Sequence, residues 1–258
     1  MKITILGCGS SMGVPFLDGT SPHGGWGACD PAEPRNRRLR TSILVEEGAT
    51  RLLVDTSPDL RQQLLAAGVS TITAVLYTHA HADHLHGIDD VRGINLILQA
   101  PIDAYGDAVT LATIQERFGY VFEPLKGDYF YKPTLVPKLI DGPFDIGPIR
   151  IQPFVQDHGF SKSLGFRFGA IAYSTDLVEL DEAAFGILAG VDLWIVDAFR
   201  IVPHVTHTHL AKTLGWIERV KPRRAVLTHM SDALDYNKIK AMVPANVEPA
   251  YDGMVLEV

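Results

Sequence analysis

Short apolar runs alternate along the whole chain with polar breaks marked by glycine and proline. Runs rich in β-branched and aromatic residues predict strands at Lys2–Leu6, Ser42–Glu46, Arg51–Asp55, Ala74–Thr78, Ile149–Val155, Leu164–Phe168, Ala170–Ser174, Leu193–Asp197, Ala225–Thr228 and Val255–Val258. Helical apolar spacing predicts helices at Ser57–Ala67, Ala108–Phe118, Asp181–Ala189, Leu210–Val220 and Asn237–Val243. The first of these opens on Ser57-Pro58 and closes at Gly68, a start and stop pair. Strands come first, and strands alternating with helices follow. That order predicts an α/β (α+β) fold with two sheets facing each other and helices outside, rather than a plain doubly wound sheet. The pattern runs without a break, so residues 1–258 read as one domain. The stretch Gly119–Pro143, rich in glycine, proline and aromatics, reads as an excursion near a site mouth.

Composition adds limits. A chain of 258 residues with 47% hydrophobic and 21% charged residues is globular, and its length suits a barrel or a two-sheet sandwich. The net charge of −7 argues against a nucleic-acid partner other than a short or nucleotide-like one. It leaves room for a small basic pocket. Two cysteines, Cys8 and Cys29, cannot build a disulfide framework, which predicts a reducing, cytoplasmic setting. No apolar run approaches the roughly 18–20 residues of a membrane span. The opening MKITILGCGSS is too short in its apolar part for a secretion signal and reads as a first strand.

The chemistry concentrates in Thr78–Gly87, THAHADHLHG, which follows the apolar run AVLYT. Functional loops of α/β proteins sit at such strand ends. His79, His81, Asp83 and His84 form H-x-H-x-D-H. Four ligands would close one tetrahedral zinc site, but their close spacing makes it hard for all four to face one ion. The natural split gives His79 and His81 to one metal and Asp83 and His84 to a second. Each metal then lacks ligands, and three further strand ends offer them: His158 after FVQD, Asp176 after IAYST and His229 after AVLT. A solvated loop is the alternative for the first four, and an ordinary polar strand end for each of the other three. Their shared placement favours ligands.

With these residues the chain resembles the metallo-β-lactamase superfamily, whose fold is a four-layer αββα sandwich. The resemblance covers essentially the whole chain. It implies that His79, His81, His158 and Asp176 hold one metal, and that Asp83, His84, Asp176 and His229 hold the other, with Asp176 bridging. Asp83 counts with the catalytic groups as well as with the ligands. Within the superfamily the chain resembles the PhnP-like phosphoribosyl cyclic phosphodiesterases. The residues concerned are Gly7–Pro15 (GCGSSMGVP), Trp26–Cys29, Pro101–Gly106, Leu227–Ser231 and Tyr251–Met254. One departure stands out. PhnP-like proteins carry an extra structural zinc on a cysteine cluster in the Trp26 loop and a later histidine. Here the loop keeps only Cys29 and the later position is Asp232, so that zinc is expected to be absent.

The resemblance implies a phosphodiesterase acting on a small cyclic phosphate or nucleotide-like ester. Two divalent ions, Zn²⁺ or Mn²⁺ with Fe as a further option, lie about 3.5–4 Å apart in such centres and lower the pKa of a shared water, and the resulting metal-bridging hydroxide attacks phosphorus. The leaving oxygen needs a proton. The cluster His204, His207 and His209 precedes the Leu210 helix, and His207 is the best match for that donor or for a phosphate contact. A structural histidine capping the helix is the alternative. Asp55, at a strand end, is expected to support the metal ligands from behind. His23 and Cys29 read as loop and packing residues, and Cys8 as core. Arg37, Arg38, Arg40 and Arg200 are all phosphate candidates. A homodimer is implied by the resemblance alone. Other readings are a transfer-RNA-processing nuclease, a thioester or β-lactam hydrolase, and a non-hydrolytic metal protein on the same fold.

Overall fold

A computed structural model describes residues 1–19, 21–22, 24–127 and 129–258. The reading of His23 lies outside the described residues. In chain order the strands are β1 (Lys2–Gly7), β2 (Ser42–Glu47), β3 (Thr50–Val54), β4 (Ala74–Leu76), β5 (Ile102–Gly106), β6 (Leu135–Leu139), β7 (Phe144–Ile146), β8 (Ile149–Asp157), β9 (Lys162–Phe168), β10 (Ile171–Ser174), β11 (Leu193–Asp197), β12 (Arg224–Thr228), β13 (Val247–Pro249) and β14 (Val255–Glu257). The α-helices are α1 (Leu60–Ala66), α2 (Ala82–Leu85), α3 (Val91–Leu98), α4 (Ala108–Phe118), α5 (Glu182–Leu188), α6 (Leu210–Val220) and α7 (Tyr236–Met242).

The strands form two sheets, ordered β14-β1-β2-β3-β4-β5-β6 and β13-β12-β11-β10-β9-β8-β7. The period-2 alternation of strands explains how they pack. Ile43, Val45, Leu52, Val54 and Leu76 join the core between the sheets, where Phe154, Phe166, Tyr173, Ile195 and Val226 meet them. Leu44, Leu53 and Val75 point the other way, into a second core with Leu60, Leu64, Leu85, Val91, Ile94 and Ile114 of α1 to α4. Both faces of these strands are buried, so their sequence is a continuous apolar run rather than an alternation. On the far sheet, Ala184, Phe185 and Leu188 of α5, Trp216 and Ile217 of α6, and Ile239 of α7 complete the outer layer. This is the expected αββα sandwich.

Parallel pairing joins β3 to β4, β4 to β5 and β5 to β6 in one sheet. The other has parallel β10, β11, β12 and β13. In β8–β9–β10 both pairings are antiparallel, so β8 runs the same way as β10. The C-terminal ends of β8, β10, β11 and β12 therefore share one edge of their sheet.

Three expectations change. The first helix begins at Leu60, not Ser57, because Ser57 accepts at its carbonyl from the Leu60 N–H and at its hydroxyl from the Asp59 N–H, forming a turn before the helix. The stretch Gly119–Pro143 is not all excursion: it contains β6, the edge strand beside β5. Pro137 is tolerated there because an edge strand can spare an N–H. Strands β5, β7 and β13 and the short helices α2 and α3 were not among the predicted elements; β5 lies within the Pro101–Gly106 motif, whose Asp and Gly dilute its strand signal.

Candidate metal centre

Six of the site residues stand just past, or at the last position of, a buried strand. Asp55 follows β3, His79 follows β4, His158 follows β8, Asp176 follows β10, Asp197 ends β11 and His229 follows β12. Three of them turn sharply: Asp55, Asp176 and His229 adopt φ of 65°, 54° and 54°. Non-glycine residues avoid this left-handed region, and a packed surrounding must hold them there. The turn swings the side chain from the strand direction onto the rim.

Two groups result. His79, His81, His158 and Asp176 bring one ligand atom each within 4.8 Å of one another, and Asp83, His84, Asp176 and His229 do the same. Asp176 faces both ways. Its Oδ2 lies 3.6 Å from His79 Nε2 and 3.4 Å from His158 Nε2. Its Oδ1 lies 3.1 Å from His84 Nε2 and 3.0 Å from His229 Nε2. His81 Nδ1 approaches His158 Nε2 at 3.2 Å. Asp83 Oδ2 stands 3.3 Å from His84 Nε2 and 3.6 Å from His229 Nε2. A third set, Asp176, Asp197, His207 and His229, overlaps the second on the flank.

The donor atoms fit metal ions. Nε2 of His79, His84 and His229 are buried and aligned with no hydrogen-bond acceptor. Buried polar atoms are rarely left this way, and three of them converging on one bridging carboxylate mark places for cations. The opposite ring nitrogens of His84, His158 and His79 have partners, whereas Nδ1 of His229 is also buried without one. His84 Nδ1 donates to Asp55 Oδ2 at 2.7 Å, and His158 Nδ1 donates to the Thr206 carbonyl at 2.7 Å. His79 Nδ1 meets Thr78 Oγ1 at 3.0 Å. Asp55 is itself held by Thr78, whose N–H and hydroxyl both donate to it at 2.8 Å. Such outer contacts set the orientation and tautomer of these three rings.

The two groups differ electrically. Burial lowers the pKa of His79, His81 and His158, which keeps these imidazoles neutral with lone pairs available. In the second group burial also works against charge, but Asp176 and its neighbouring carboxylates outweigh it, raising His84 well above its usual value and His229 to about 9. Asp176 and Asp83 are buried, yet the imidazoles around them hold both below the ordinary carboxylate range.

Of the three clustered histidines, His207 faces the centre. Its ring lies 4.9 Å from those of His158 and His229 and stacks on Phe199 at 4.6 Å. His204 sits behind it, taking the Thr206 N–H and hydroxyl at Nδ1. His209 occupies the N-cap position of α6 without a side-chain cap bond. The sequence reading missed Asp197. Its Oδ2 is 3.3 Å from His207 Nδ1, 3.9 Å from His229 Nδ1, and accepts from the Asp176 N–H at 3.1 Å. A fully buried aspartate ending the apolar run LWIV, as Asp176 follows IAYST, was the signal that could have found it.

The arginines separate. Arg38 is buried and committed, donating to the carbonyls of Ser231 at 3.0 Å and Leu234 at 2.6 Å, so it is no phosphate partner. It also lies 3.8 Å from Cys29 Sγ, in the loop that meets Asp232. Arg37 lies over Trp26, and Arg200 donates from Nε to the Val202 carbonyl and from Nη2 to the Pro203 carbonyl.

Comparison with known proteins places this geometry. The family model described as "Beta-lactamase superfamily domain" matches residues 50–230. A crystal structure of a new diphosphatase from the PhnP family is 31% identical, with a TM-score of 0.88, covering 100% of this chain and 97% of that one. An octanoyltransferase of Porphyromonas gingivalis is 30% identical over 98% of this chain but only 51% of its own length, so the chain spans about half of that relative. The short form of human tRNase Z superposes over 100% of this chain and 99% of its own with a TM-score of 0.66 at 20% identity, a likeness of fold. Strand-end ligands, paired groups and full-length similarity agree, and the chain belongs to the beta-lactamase superfamily and, within it, to the PhnP family.

Proposed function

We propose that the protein is a metal-dependent phosphodiesterase that hydrolyses a small phosphodiester or diphosphate. The observation that carries this is the paired arrangement around Asp176, whose two oxygens serve two separate groups of imidazole and carboxylate donors. Such donors suit Zn²⁺ or Mn²⁺, with Fe as a further option. His79, His81, His158 and Asp176 would hold one ion, and Asp83, His84, Asp176 and His229 the other. Two ions held so closely supply an activated water and neutralise charge building on a phosphoryl group.

The remaining work falls to the chain. Asp55 fixes His84, and the Thr206 carbonyl fixes His158, so these donors need no rearrangement when they bind. His207 stands beside both groups with Nδ1 toward Asp197, which directs Nε2 to the open side. There it donates a proton to the departing alkoxide, held in place by its contact with Asp197. The similarity to a PhnP-family diphosphatase supports a phosphoryl substrate. Among the described residues no helix is long and apolar enough to cross a membrane. Cys8 and Cys29 are both free thiols, which favours a reducing, cytoplasmic setting.

Metal analysis of the purified protein, paired with hydrolysis of bis-p-nitrophenyl phosphate before and after chelation, tests the reading. Two ions per chain with chelator-sensitive turnover are expected. Two ions without cleavage of any phosphodiester would overturn the substrate class, and one ion or none would overturn the paired centre.

A further inference from the structure

The first metal group draws two of its ligands from three consecutive residues. His79 Nε2 lies 3.6 Å from Asp176 Oδ2, and His81 Nδ1 lies 3.2 Å from His158 Nε2. Thr78 meets the far side of the His79 ring, and the Thr206 carbonyl holds His158. His81 is different. It is exposed, and among the described residues no group outside the cluster bonds its ring. Its aim depends on the backbone that carries it. On one side that backbone joins α2, where the His84 N–H donates to the His81 carbonyl at 3.1 Å. On the other side stands Ala80.

Ala80 is held by α4. Its side chain and that of Phe118 both pack against the outer core under the helix layer. His81 has extended backbone, with φ of −70° and ψ of 156°, and neighbours along extended chain face opposite sides. With Ala80 turned to the helices, His79 and His81 turn to the metals. Arg117, in the last turn of α4, donates from Nη1 to the Ala80 carbonyl at 2.9 Å. Among the described residues no other group donates to that carbonyl. Two more contacts extend the grip. The Phe118 ring meets the His86 ring edge-on at 5.4 Å, and the Tyr120 hydroxyl donates to Asp89 Oδ1 at 2.6 Å. A cation in a last helical turn also suits the helix dipole, but that service needs no particular partner. Here the partner is the peptide between two ligands.

We propose that Arg117 is a positioning residue for the first metal group. It pins the Ala80 peptide so that His79 and His81 meet an ion without rearrangement, as Asp55 fixes His84 for the second group. This rests on the reading of a paired metal centre. A ligand loop already held in its bound shape loses less conformational freedom on binding, and the saving appears as affinity.

The sign of the effect separates this role from simple electrostatics. Arg117 is a cation near a cation site, so its charge alone opposes metal binding. Removing it tightens binding if charge decides and weakens binding if the pin decides. Arg117→Met keeps the aliphatic stem and removes the donors. Competition with a chromophoric chelator reads zinc affinity, and anomalous diffraction from crystals grown at limiting zinc reads the occupancy of each group. The His79–His81–His158–Asp176 group should bind about 10-fold more weakly, and the Asp83–His84–Asp176–His229 group should hold. That is the mirror image of a change at Asp55. Arg117→Lys, which keeps the charge and a donor, should recover part of the loss. Unchanged or tighter binding in Arg117→Met, or equal weakening of both groups, would overturn the role. A wild-type protein with a single ion at the His79 group would end the paired reading alone, and Arg117→Met must still weaken that ion. A single ion at the other group, or none, would overturn both.

Discussion

His84 shows how much one side chain depends on what stands behind it. Its Nε2 can face an ion only because Asp55, fully buried, accepts the hydrogen bond from the Nδ1 N–H. Burial pushes the Asp55 carboxyl up, while His84 and the Thr78 donors pull it back. Asp55→Asn would present an amide hydrogen to a donor and leave the His84 tautomer unset. It should weaken metal binding at the Asp83–His84–Asp176–His229 group by about 10–100-fold and spare the other group, as competition with a chromophoric chelator would read. Equal weakening of both groups would make Asp55 a fold residue only. His207 is testable by leaving group. His207→Ala should lower kcat by about 10²–10⁴-fold on an alkyl ester and far less on a p-nitrophenyl ester, whose anion needs no proton. Equal losses would remove it as proton donor. At this scale the seven proposed donors stood out as the H-x-H-x-D-H motif and as a histidine or aspartate just after each of three further apolar runs. Asp197 lacked a downstream motif to draw attention. Nothing in the run Arg37–Arg40 told a buried arginine from a free one, because burial there is decided by Ser231 and Leu234, nearly two hundred residues away.

At the scale of elements, strand ends do the positioning, and the loops after them must be anchored. The loop after β12 is held by Arg38, whose guanidinium reaches the Ser231 and Leu234 carbonyls and Asn36 Oδ1, 3.3 Å away. Asn36 passes the link to Asp235, the cap of α7. Arg38→Met keeps the volume but strands two buried carbonyls, so it should cost about 2–4 kcal/mol in urea unfolding of the metal-loaded protein with an unchanged slope. Arg38→Lys should rescue little, since one ammonium cannot span three acceptors. A loss under about 0.5 kcal/mol, the range of ordinary surface changes, would show that the loop holds without it. Legibility followed the same logic. Strands buried on both faces and helices with a clear stop, such as α4 and α6, were visible in the pattern. Edge strands β6 and β7 were not, because solvent on one side removes the apolar signal and β6 carries Pro137. Helix α2, four residues long, is hidden inside the histidine motif itself.

Across the whole molecule the centre lies where the two sheets meet. The β4–α2 loop after one sheet gives His79 and His81, helix α2 gives Asp83 and His84, and strand ends of the other sheet give His158, Asp176 and His229. The C-terminal segment closes the same assembly, since β14 pairs with β1 and Asp252 accepts from the N–H groups of Cys8 at 3.1 Å and Leu39 at 2.7 Å. Burial raises the Asp252 carboxyl to about 7 against a usual 3.8, despite the pull of those two N–H groups. The folded protein therefore holds this proton more tightly than the unfolded chain does. Stability from it is complete below the unfolded value and is lost as pH rises through about 7. Asp252→Asn removes the titration. With metals chelated throughout, so that loading does not enter, the wild-type advantage over the variant should shrink between pH 5 and pH 8. The change should be on the order of 1–3 kcal/mol, discounted for the solvent this partly buried group still meets. A difference independent of pH would mean that the carboxyl is ionised throughout. It would then join the two termini as a permanent anion, held by its N–H donors rather than by a proton.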